Sequence, residues 1–478
     1  MFGYAAEILG IPVRPEAAGS DGERASHPAI EWARSGAMAL SGCSDGPPRL
    51  VRGPLANCAR GCVEALAHLA GDRWAPGLDG PALLGERAAI LGLSRRGRIS
   101  PGGSCRLLPT RDGWIAVNLA RPDDRDLLPA WLGGDTADDP WDFIADRVRS
   151  RAADEVVARA RLLGLPVAVA VSGPSPAPVW RRVCSRGPRL VRRPGDFPRV
   201  VDLSVLWAGP LCAHLLGRAG ARVVKIESSA RPDGARSGPA RFFDLLNFGK
   251  QSVALDLASE TGRRWLRRLL ESADIVVDSA RPRALAQLGI DVRRLLATRP
   301  GLTWVSITGY GRAAPGGDWV AFGDDAAVAA GLSRAVAADA DPPVFCGDAI
   351  ADPLTGLHAA AAALQSWRAG GGELLDLSLC EVAAHALSYG AETGPESEPA
   401  RVRRVDPAGV PEAPRTTQAP RTTQAPRALR APRSTIWEVV AGDECARVSP
   451  PRARSVEGSA APLGADTDEV LAELGPRC

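Results

Sequence analysis

The sequence predicts an α/β fold, with a Rossmann-like parallel sheet in a large domain and a smaller α+β domain beside it. Two observations carry this prediction. Between residues 198 and 390, short apolar runs rich in valine and isoleucine alternate with segments of helical periodicity. This rhythm is typical of parallel strands joined by crossover helices that cover both faces of a sheet. The chain of 478 residues is 45% hydrophobic and 24% charged, which is ordinary for a globular protein of two or more domains.

Four apolar runs predict strands of the parallel sheet. In chain order, they are residues 199–204, 221–227, 273–278 and 302–308. Residues 213–219 predict a helix that ends at Gly220, and residues 261–272 predict an amphipathic helix. Ligands of parallel sheets bind beyond the carboxyl ends of the strands. We therefore expect polar residues at these ends, such as Glu227 and Asp278, to lie near a binding site.

The composition argues against several classes of function. A formal net charge of +3 gives no global field that would recruit nucleic acid or a membrane. The ten cysteines are scattered without a CxxC pair or a nearby histidine pair, so no metal site is expected. The N-terminus lacks the basic and apolar parts of a signal peptide, and no run reaches the roughly 18 apolar residues of a membrane helix. These features predict a cytoplasmic protein.

Shifts in composition divide the chain into segments. Residues 1–190 and 198–390 have the composition of folded regions, and a basic connector punctuated by proline and glycine lies between them. Residues 393–435 are mostly proline, arginine, threonine, alanine and glutamine, and they include a tandem hexapeptide repeat. Such a segment cannot bury enough apolar surface to offset its ordering entropy, which predicts a disordered linker. Residues 436–478 form a C-terminal segment.

Part of the chain is repeated without a gap. When the Pro-Pro pairs of the two regions are aligned, Asp352 falls on Asn57 and Gly356 on Gly61, and an alanine-rich helix follows in both copies. Asparagine is nearly isosteric with aspartate but is a very poor nucleophile. We therefore expect the copy within residues 1–190 to be catalytically silent.

The strongest chemical signal is the stretch that begins at Pro343 and ends at His358. It places Asp352 on a glycine-flanked turn at the mouth of a helix, where a carboxylate can face a substrate. Backbone N–H groups of such a turn can bind a negative charge that develops during a reaction. The competing interpretation is that Asp352 is only the N-cap of the helix.

A series of ordered motifs surrounds this aspartate. They are Val201-Asp-Leu-Ser, Ala208-Gly-Pro, Gly220-Ala-Arg-Val-Val-Lys-Ile-Glu, Asp233-Gly-Ala-Arg, Asn247-Phe-Gly-Lys-Gln-Ser-Val, Ala273-Asp-Ile-Val-Val-Asp, Ile307-Thr-Gly-Tyr-Gly and Asp352-Pro-Leu-Thr-Gly. Through them the chain resembles the family III CoA-transferases, the CaiB/BaiF family, which includes formyl-CoA transferase, carnitine CoA-transferase and 2-methylacyl-CoA racemase. The resemblance implies an acyl-CoA:carboxylate CoA-transferase that uses CoA as a substrate and holds no permanently bound cofactor.

The resemblance also implies roles for individual residues. Asp352 matches the family aspartate that attacks the acyl-CoA thioester, and Asp324 matches a second acidic position of the transferases. The remaining matches are Arg236, Lys250, Ser279, Ala280 and Tyr310 for binding CoA, and Trp207 and Gly356 for the substrate pocket. Fixed cations suit the phosphates of CoA. The indole of Trp207, where formyl-CoA transferase has glutamine, implies an altered or smaller acyl pocket.

The order of segments departs from the family pattern. The family's small domain follows the catalytic helix, whereas here the similar stretches, 112–120 and 164–170, lie in the first half. The simplest account is a rearranged fusion of two family copies, each of which has lost what the other kept. Because family members form interlocked dimers, the resemblance implies either a homodimer or a self-contained pseudo-dimer.

Two alternative functions stay open at this point. The first is an acyl-CoA racemase or isomerase, whose relatives carry histidine at the position of Asp324; a carboxylate does not readily replace that base near neutral pH. The second is a non-catalytic CoA-binding partner protein, for which the degenerate first half argues. Retention of Asp352 favours an enzyme over this second alternative.

Overall fold

The structure is a computed structural model that describes residues 2–10, 26–134, 139–173, 178–193, 195–337, 341–389, 400–405 and 435–475. Its strands are β1 (Cys105–Pro109), β2 (Trp114–Asn118), β3 (Val167–Val169), β4 (Arg182–Arg186), β5 (Arg199–Asp202), β6 (Arg222–Ser228), β7 (Gln251–Leu255), β8 (Ile275–Asp278), β9 (Thr303–Thr308), β10 (Glu373–Ser378), β11 (Arg401–Val405), β12 (Ile436–Ala441) and β13 (Glu444–Arg447).

Helices cover the sheets and connect the strands. They are α1 (Phe2–Leu9), α2 (Pro28–Ser35), α3 (Leu55–Ala70), α4 (Gly80–Leu83), α5 (Glu86–Leu91), α6 (Leu128–Leu132), α7 (Pro140–Val148), α8 (Ala153–Leu162), α9 (Ala208–Arg218), α10 (Ala240–Asn247), α11 (Glu260–Ser272), α12 (Pro282–Gln287), α13 (Val292–Thr298), α14 (Gly323–Ala329), α15 (Leu332–Ala335), α16 (Ala351–Arg368), α17 (Leu379–Ser388) and α18 (Thr467–Glu473). No helix in the described ranges is long and apolar enough to cross a membrane.

The central sheet has seven strands in the order β4-β10-β9-β8-β5-β6-β7. All its neighbours pair in parallel except β4, which is antiparallel to β10. The predicted parallel α/β sheet is thus confirmed, and the four predicted strands correspond to β5, β6, β8 and β9. Helix α9 begins at Ala208, five residues earlier than predicted, because Pro210 lies in its first turn, where proline needs no hydrogen-bond donor.

Both faces of the sheet are buried. Val200 of β5 belongs to the core that includes α3, α9 and α16, while its neighbour Val201 faces the core on the side of α11 and α13. This alternation along one strand explains why its apolar run is continuous, since each face packs against helices. The layers place the N-terminal turn of α16 next to the start of α9.

Helix α16 approaches its neighbours closely through a glycine. A Cβ atom at Gly356 would lie 2.7 Å from the carbonyl oxygen of Ala208 in α9. At the aligned position of α3, a Cβ atom at Gly61 would lie 2.9 Å from the ring of Tyr4 in α1. The two repeated glycines therefore have the same mechanical role, which is to let a second helix lie against the repeated helix.

The sequence repeat extends to the arrangement of helices and sheets. In the gap-free alignment, α2 falls on α14 and α3 falls on α16. The antiparallel sheet β1-β2-β3 packs on α14 through β2 and β3, and the antiparallel sheet β11-β12-β13 packs on α2 through β12 and β13. Each repeated helix unit thus carries a three-stranded antiparallel sheet on equivalent helices.

The sequence predicted one of the two small sheets but not the other. The sheet β1-β2-β3 and helices α6 to α8 enclose their own core, as expected for the smaller α+β domain. Residues 401–405, inside the segment assigned to a disordered linker, instead form β11 and pair with β12. The sequence Arg-Val-Arg-Arg-Val has only two apolar residues and no strict alternation, so its apolar signal was too weak to predict that strand. The tandem repeat itself, residues 413–424, lies outside the described residues.

The C-terminal segment covers the edge of the central sheet. Asp466 Oδ2 accepts a hydrogen bond from the Ser252 backbone N–H at 2.7 Å, and Thr467 Oγ1 accepts one from the Ala254 N–H at 3.0 Å. These side chains occupy donors that edge strand β7 would otherwise expose. Helix α18 follows directly and packs against β7.

The close approach of α9 and α16 is testable. We expect Gly356→Ala to lower the free energy of unfolding by about 1–3 kcal/mol, because the new methyl group displaces backbone of α9. The matched control is Gly113→Ala, whose added Cβ has no atom within 4 Å; its effect should stay within about 0.5 kcal/mol. Urea unfolding measures both variants, and equal losses in the two would contradict this packing.

Candidate active site

Asp352 lies in the first turn of α16, two residues after the N-cap Ile350. The residue as a whole stays partly exposed, and its carboxyl group accepts a hydrogen bond from the backbone N–H of Gly323 at the start of α14. A side chain at Gly323 would collide with both Asp352 and the Ala349 carbonyl oxygen. The structure therefore contradicts the N-cap interpretation and places Asp352 in a gap that glycine keeps open.

Three more carboxyl groups gather around this turn. Asp324 and Asp325 open α14, and Asp348 lies in the loop before α16; all three are buried. Asp324 Oδ1 accepts a hydrogen bond from the Ala349 N–H at 2.9 Å and so ties α14 to that loop. Asp324 is therefore not a surface residue, since only 5% of it is exposed.

Asp325, the second acid of α14, is hydrogen-bonded by a residue from the first half of the chain. Asp325 Oδ1 accepts hydrogen bonds from the Phe322 N–H and from Nδ2 of Asn118 in β2, each at 3.0 Å. Its other oxygen is buried without a hydrogen bond in the structure. Asp325 thus links the small sheet β1-β2-β3 to the start of α14.

Arg87 of α5 is the residue at this site that sequence reasoning missed. Its Nε donates to Asp348 Oδ2 at 2.8 Å and its Nη2 donates to Asp348 Oδ1 at 2.6 Å, a bidentate pair that spans the two halves of the chain. The guanidinium carbon lies 5.2 Å from the centre of the Trp207 ring. One arginine among many in residues 1–190 gave no sequence signal, since its importance arises from a contact between distant segments.

Burial dominates the ionisation of the acids. It raises the pKa of Asp352 to about 7, with Arg87 acting in the opposite direction. Burial, together with the negative charge of Asp348, raises the pKa of Asp324 to about 6. Burial likewise raises the pKa of Asp325 to about 7, against the hydrogen bond from Asn118. All three carboxyl groups therefore change charge near neutral pH.

The acids do not form a chelating site. Within the described parts of the chain, no group of three or more histidine, cysteine, aspartate or glutamate side chains is arranged to hold a metal ion. The cluster is better understood as a set of carboxyl groups whose charges influence one another in a poorly solvated region.

The turn before α16 supplies fewer free donors than the sequence predicted. The Gly347 N–H donates to Ser41 Oγ at 2.9 Å, and the Ala349 N–H is taken by Asp324. These donors hold the turn in shape instead of pointing to an empty position. His358, one of the residues after the turn, is buried between Tyr4 and the Leu354 carbonyl oxygen and has a structural role.

Lys250 and Arg236, the two basic residues expected to bind CoA, are both bound to other residues of the protein. Lys250 Nζ donates to Asp202 Oδ2 at 2.8 Å, to the Pro210 carbonyl oxygen at 2.9 Å and to Asn247 Oδ1 at 3.0 Å, which uses all three ammonium hydrogens. Arg236 forms a bidentate pair with Glu227, with Nε–Oε1 and Nη2–Oε2 distances of 2.9 and 2.6 Å. A phosphate contact would require either side chain to change partners.

The matches for the CoA channel lie at the carboxyl edge of the sheet. Ser279 and Ala280 follow β8, and Tyr310 follows β9; all three are partly exposed. Ser279 Oγ accepts a hydrogen bond from the Val205 N–H at 3.1 Å, which joins this edge to the loop before α9. The ring of Trp319 packs edge-on against Tyr310 at 5.5 Å.

The two residues assigned to the substrate pocket, Trp207 and Gly356, both lie near the start of helix α9. Trp207 is the N-cap residue of α9, is buried, and packs edge-on against Phe242 at 5.3 Å between ring centres. Gly356 faces α9, where its role is the close approach described above. The exposed side chains of Val205 and Leu206 immediately precede Trp207.

Comparison with known proteins identifies similar sequences for the second half of the chain. The model of CoA-transferase family III matches residues 198–418. The chain is 32% identical to succinyl-CoA–D-citramalate CoA-transferase of Chloroflexus aurantiacus over 40% of this chain and 50% of that protein. It is 30% identical to succinate–glutarate CoA-transferase of Agrobacterium fabrum over 40% of this chain and 52% of that protein. The chain thus spans about half the length of the curated relatives it matches.

A solved structure of a CaiB/BaiF family protein from Brucella suis is 31% identical over 41% of this chain and 55% of that chain, with a TM-score of 0.38.

The raised acid pKa values predict a pH-dependent stability. For each of these acids the folded-state pKa lies above the unfolded-state value of about 3.9. The folded protein therefore loses stability as pH rises from the unfolded-state pKa to the folded-state pKa, because the unfolded chain gives up its proton first. Asp325→Asn removes one such group, so its free energy of unfolding relative to the parent should rise by about 2 kcal/mol from pH 5 to pH 8. Asp123→Asn, at an exposed position, is the control. Parallel pH profiles for Asp325→Asn and the parent would contradict the prediction.

Proposed function

Because the model of CoA-transferase family III matches residues 198–418, we propose that this chain moves CoA from an acyl-CoA thioester to a carboxylic acid, with Asp352 as the nucleophile. The observation that carries the proposal is the setting of Asp352. Asp352 as a residue is partly exposed on the first turn of α16, while Asp324, Asp325 and Asp348 beside it are buried. It is the acid of this cluster that a substrate can reach most directly.

The first half of the reaction loads CoA onto the enzyme. A carboxylate oxygen of Asp352 attacks the thioester carbonyl carbon, the C–S bond breaks, and CoA leaves as a thiolate from a mixed anhydride. The thiolate then attacks the aspartyl carbonyl carbon of the anhydride. This step releases the first carboxylic acid as its carboxylate and leaves a CoA thioester of Asp352.

The second half returns CoA to the acceptor. The acceptor carboxylate attacks the aspartyl thioester carbon and expels the CoA thiolate, which gives a second mixed anhydride. The thiolate attacks the acceptor carbonyl carbon, forms the new acyl-CoA and restores the Asp352 carboxylate. Each step exchanges one acyl bond for another, so neither an oxidant nor a metal ion is needed.

The local electrostatics suit a nucleophile that works near neutral pH. With a pKa of about 7, roughly half of the Asp352 carboxyl groups are ionised at that pH. A carboxylate of raised pKa is more basic and is less stabilised by water than an exposed aspartate, which favours attack. Asp324 contributes by fixing the Ala349 N–H and with it the turn that carries Asp352.

The CoA moiety is proposed to run along the carboxyl edge of β8 and β9, past Ser279, Ala280 and Tyr310. Arg236, which is partly exposed, is the better candidate for a phosphate contact than Lys250, whose donors are all used inside the protein. This arrangement agrees with the general position of ligands in parallel sheets.

The acyl group and the acceptor are proposed to be small acids. One relative is named for succinyl-CoA with D-citramalate, and the other is named for succinate with glutarate. Trp207 matches a position of the family's acyl pocket, and its buried indole there supports a short acyl group, since a bulky ring leaves less room for a longer chain.

The site is proposed to be built by two fused family copies. Asn118 and Arg87 reach it from the first half, whereas the aspartates come from the second. In the aligned part of the first copy, Asn57 replaces the nucleophile, which supports a silent partner. A self-contained pseudo-dimer with one site predicts a monomer in solution, and a homodimer stays the alternative that a solution mass measurement decides.

The two alternative functions have less support. A racemase needs a second base of suitable pKa, and the position of the family histidine is occupied by Asp324. His358 is engaged by Tyr4 and Leu354 and its pKa is lowered to about 3 by burial. A non-catalytic CoA-binding protein would have no need of a partly exposed Asp352 beside three buried carboxyl groups.

A transfer assay tests the proposed function. Purified protein is incubated with succinyl-CoA, acetyl-CoA or another short acyl-CoA and a panel of carboxylic acids, and new thioesters are separated by chromatography. We expect transfer by the parent and a loss of about a thousand-fold or more in Asp352→Asn, since the amide cannot form the anhydride. Asp123→Asn should match the parent. Transfer that survives Asp352→Asn would reject the assigned nucleophile.

A further inference from the structure

We propose that Arg87 is the positioning residue that keeps Asp352 in its reactive carboxylate form, and that Asp348 holds Arg87 in place and moderates its charge. This inference rests on the proposed function, because it concerns the nucleophile of that reaction. It also gives the N-terminal half a defined part in catalysis, although that half lacks a nucleophile of its own.

The geometry shows how Arg87 is fixed. Two of its five N–H groups are bound by Asp348, which is fully buried and therefore anchors the guanidinium firmly. The other N–H groups make no hydrogen bond within the described residues. The Trp207 ring lies beside the guanidinium at 5.2 Å, and a Cβ atom at Gly102 would lie 3.1 Å from Nη2. The arginine is thus confined on several sides, with 26% of its side chain exposed.

Among the charged groups around Asp352, Arg87 is the one that stabilises its ionised form. Asp324 and Asp325 of α14 both oppose ionisation of Asp352, whereas Arg87 of α5 favours it. The negative charge of Asp348, the ion-pair partner of Arg87, raises the pKa of both Arg87 and Asp324. The start of α9 contributes the uncharged ring of Trp207. Arg87 is therefore the cation in the described part of this cluster that offsets its negative charge.

Removing the cation and removing the anion of the Arg87–Asp348 pair should shift the apparent pKa of Asp352 in opposite directions. Removing the cation in Arg87→Gln leaves Asp352 among carboxylates, so we expect its apparent pKa to rise by about one pH unit. Removing the neighbouring anion in Asp348→Asn frees the guanidinium charge, so the apparent pKa should fall by about one pH unit. A group with a purely structural role would not produce shifts of opposite sign.

The experiment follows the carboxyl group directly and does not depend on turnover. Protein labelled with ¹³C at the aspartate carboxyl carbons is titrated by NMR from pH 4 to pH 9, and Asp352→Asn identifies the Asp352 signal. In parallel, the rate of CoA transfer is measured over the same range. At pH 7, a rise of about one pH unit lowers the ionised fraction about five-fold, so Arg87→Gln should lower the rate by that factor and move the acidic limb upward.

A double variant covers the event that a single variant misfolds. Arg87→Gln leaves Asp348 buried without a partner, which is costly, whereas Arg87→Gln with Asp348→Asn removes both charges. We expect its Asp352 titration to lie between those of the single variants. The matched control is Arg60→Gln, which breaks an arginine pair with the buried Glu31 in the silent copy and should leave the titration of Asp352 unchanged.

The outcomes separate this inference from the proposed function. Opposite shifts in Arg87→Gln and Asp348→Asn support the positioning role. No shift in either variant, or shifts of the same sign, would overturn it even if the parent transfers CoA. If the parent transfers no CoA, the proposed function fails, and the NMR titration still decides whether Arg87 controls the Asp352 carboxyl group.

Discussion

The bidentate ion pair between Arg87 and Asp348 is the interaction on which the candidate site depends. It joins helix α5 of the N-terminal half to the loop that directly precedes α16 and Asp352 in the C-terminal half. Both ends are anchored: Asp348 is fully buried, and the arginine lies beside the Trp207 ring. Without this cation, a turn with several carboxyl groups would carry uncompensated negative charge in a poorly solvated region, which is unfavourable.

The architecture makes that concentration of acids possible. Gly323 lets α14 lie against the turn of Asp352, and Gly356 lets α16 lie against α9. The hydrogen bonds accepted by Asp324 and Asp325 then bind α14 to the loop before α16 and to the small sheet. Holding these carboxyl groups away from water raises their pKa values. The same burial that costs stability would give the proposed nucleophile a basicity that suits acyl transfer.

Sequence reasoning predicted the features that local patterns encode. The continuous valine and isoleucine runs of β5 and β8 predicted a buried parallel sheet, and the glycine-flanked turn indicated Asp352. The strand β11 was missed because its arginines break the apolar alternation, and residues 401–405 were assigned to a linker. Arg87 and Asn118 were missed for another reason: their partners lie far away in the sequence, and no spacing rule connects α5 or β2 to the turn before α16. The internal partners of Lys250 could not be foreseen either, since they come from three separate segments.

The proposed acylation of the Asp352 carboxylate can be observed directly. The protein is mixed with short acyl-CoA esters and quenched with hydroxylamine, which converts an activated aspartyl carboxyl group to a hydroxamate, and intact-protein and peptide mass spectrometry locate the product. We expect a hydroxamate on Asp352 that depends on the acyl-CoA and is absent from Asp352→Ala. Transfer of CoA without modification of Asp352, or a hydroxamate on another residue in its place, would contradict the assignment of Asp352 as the nucleophile.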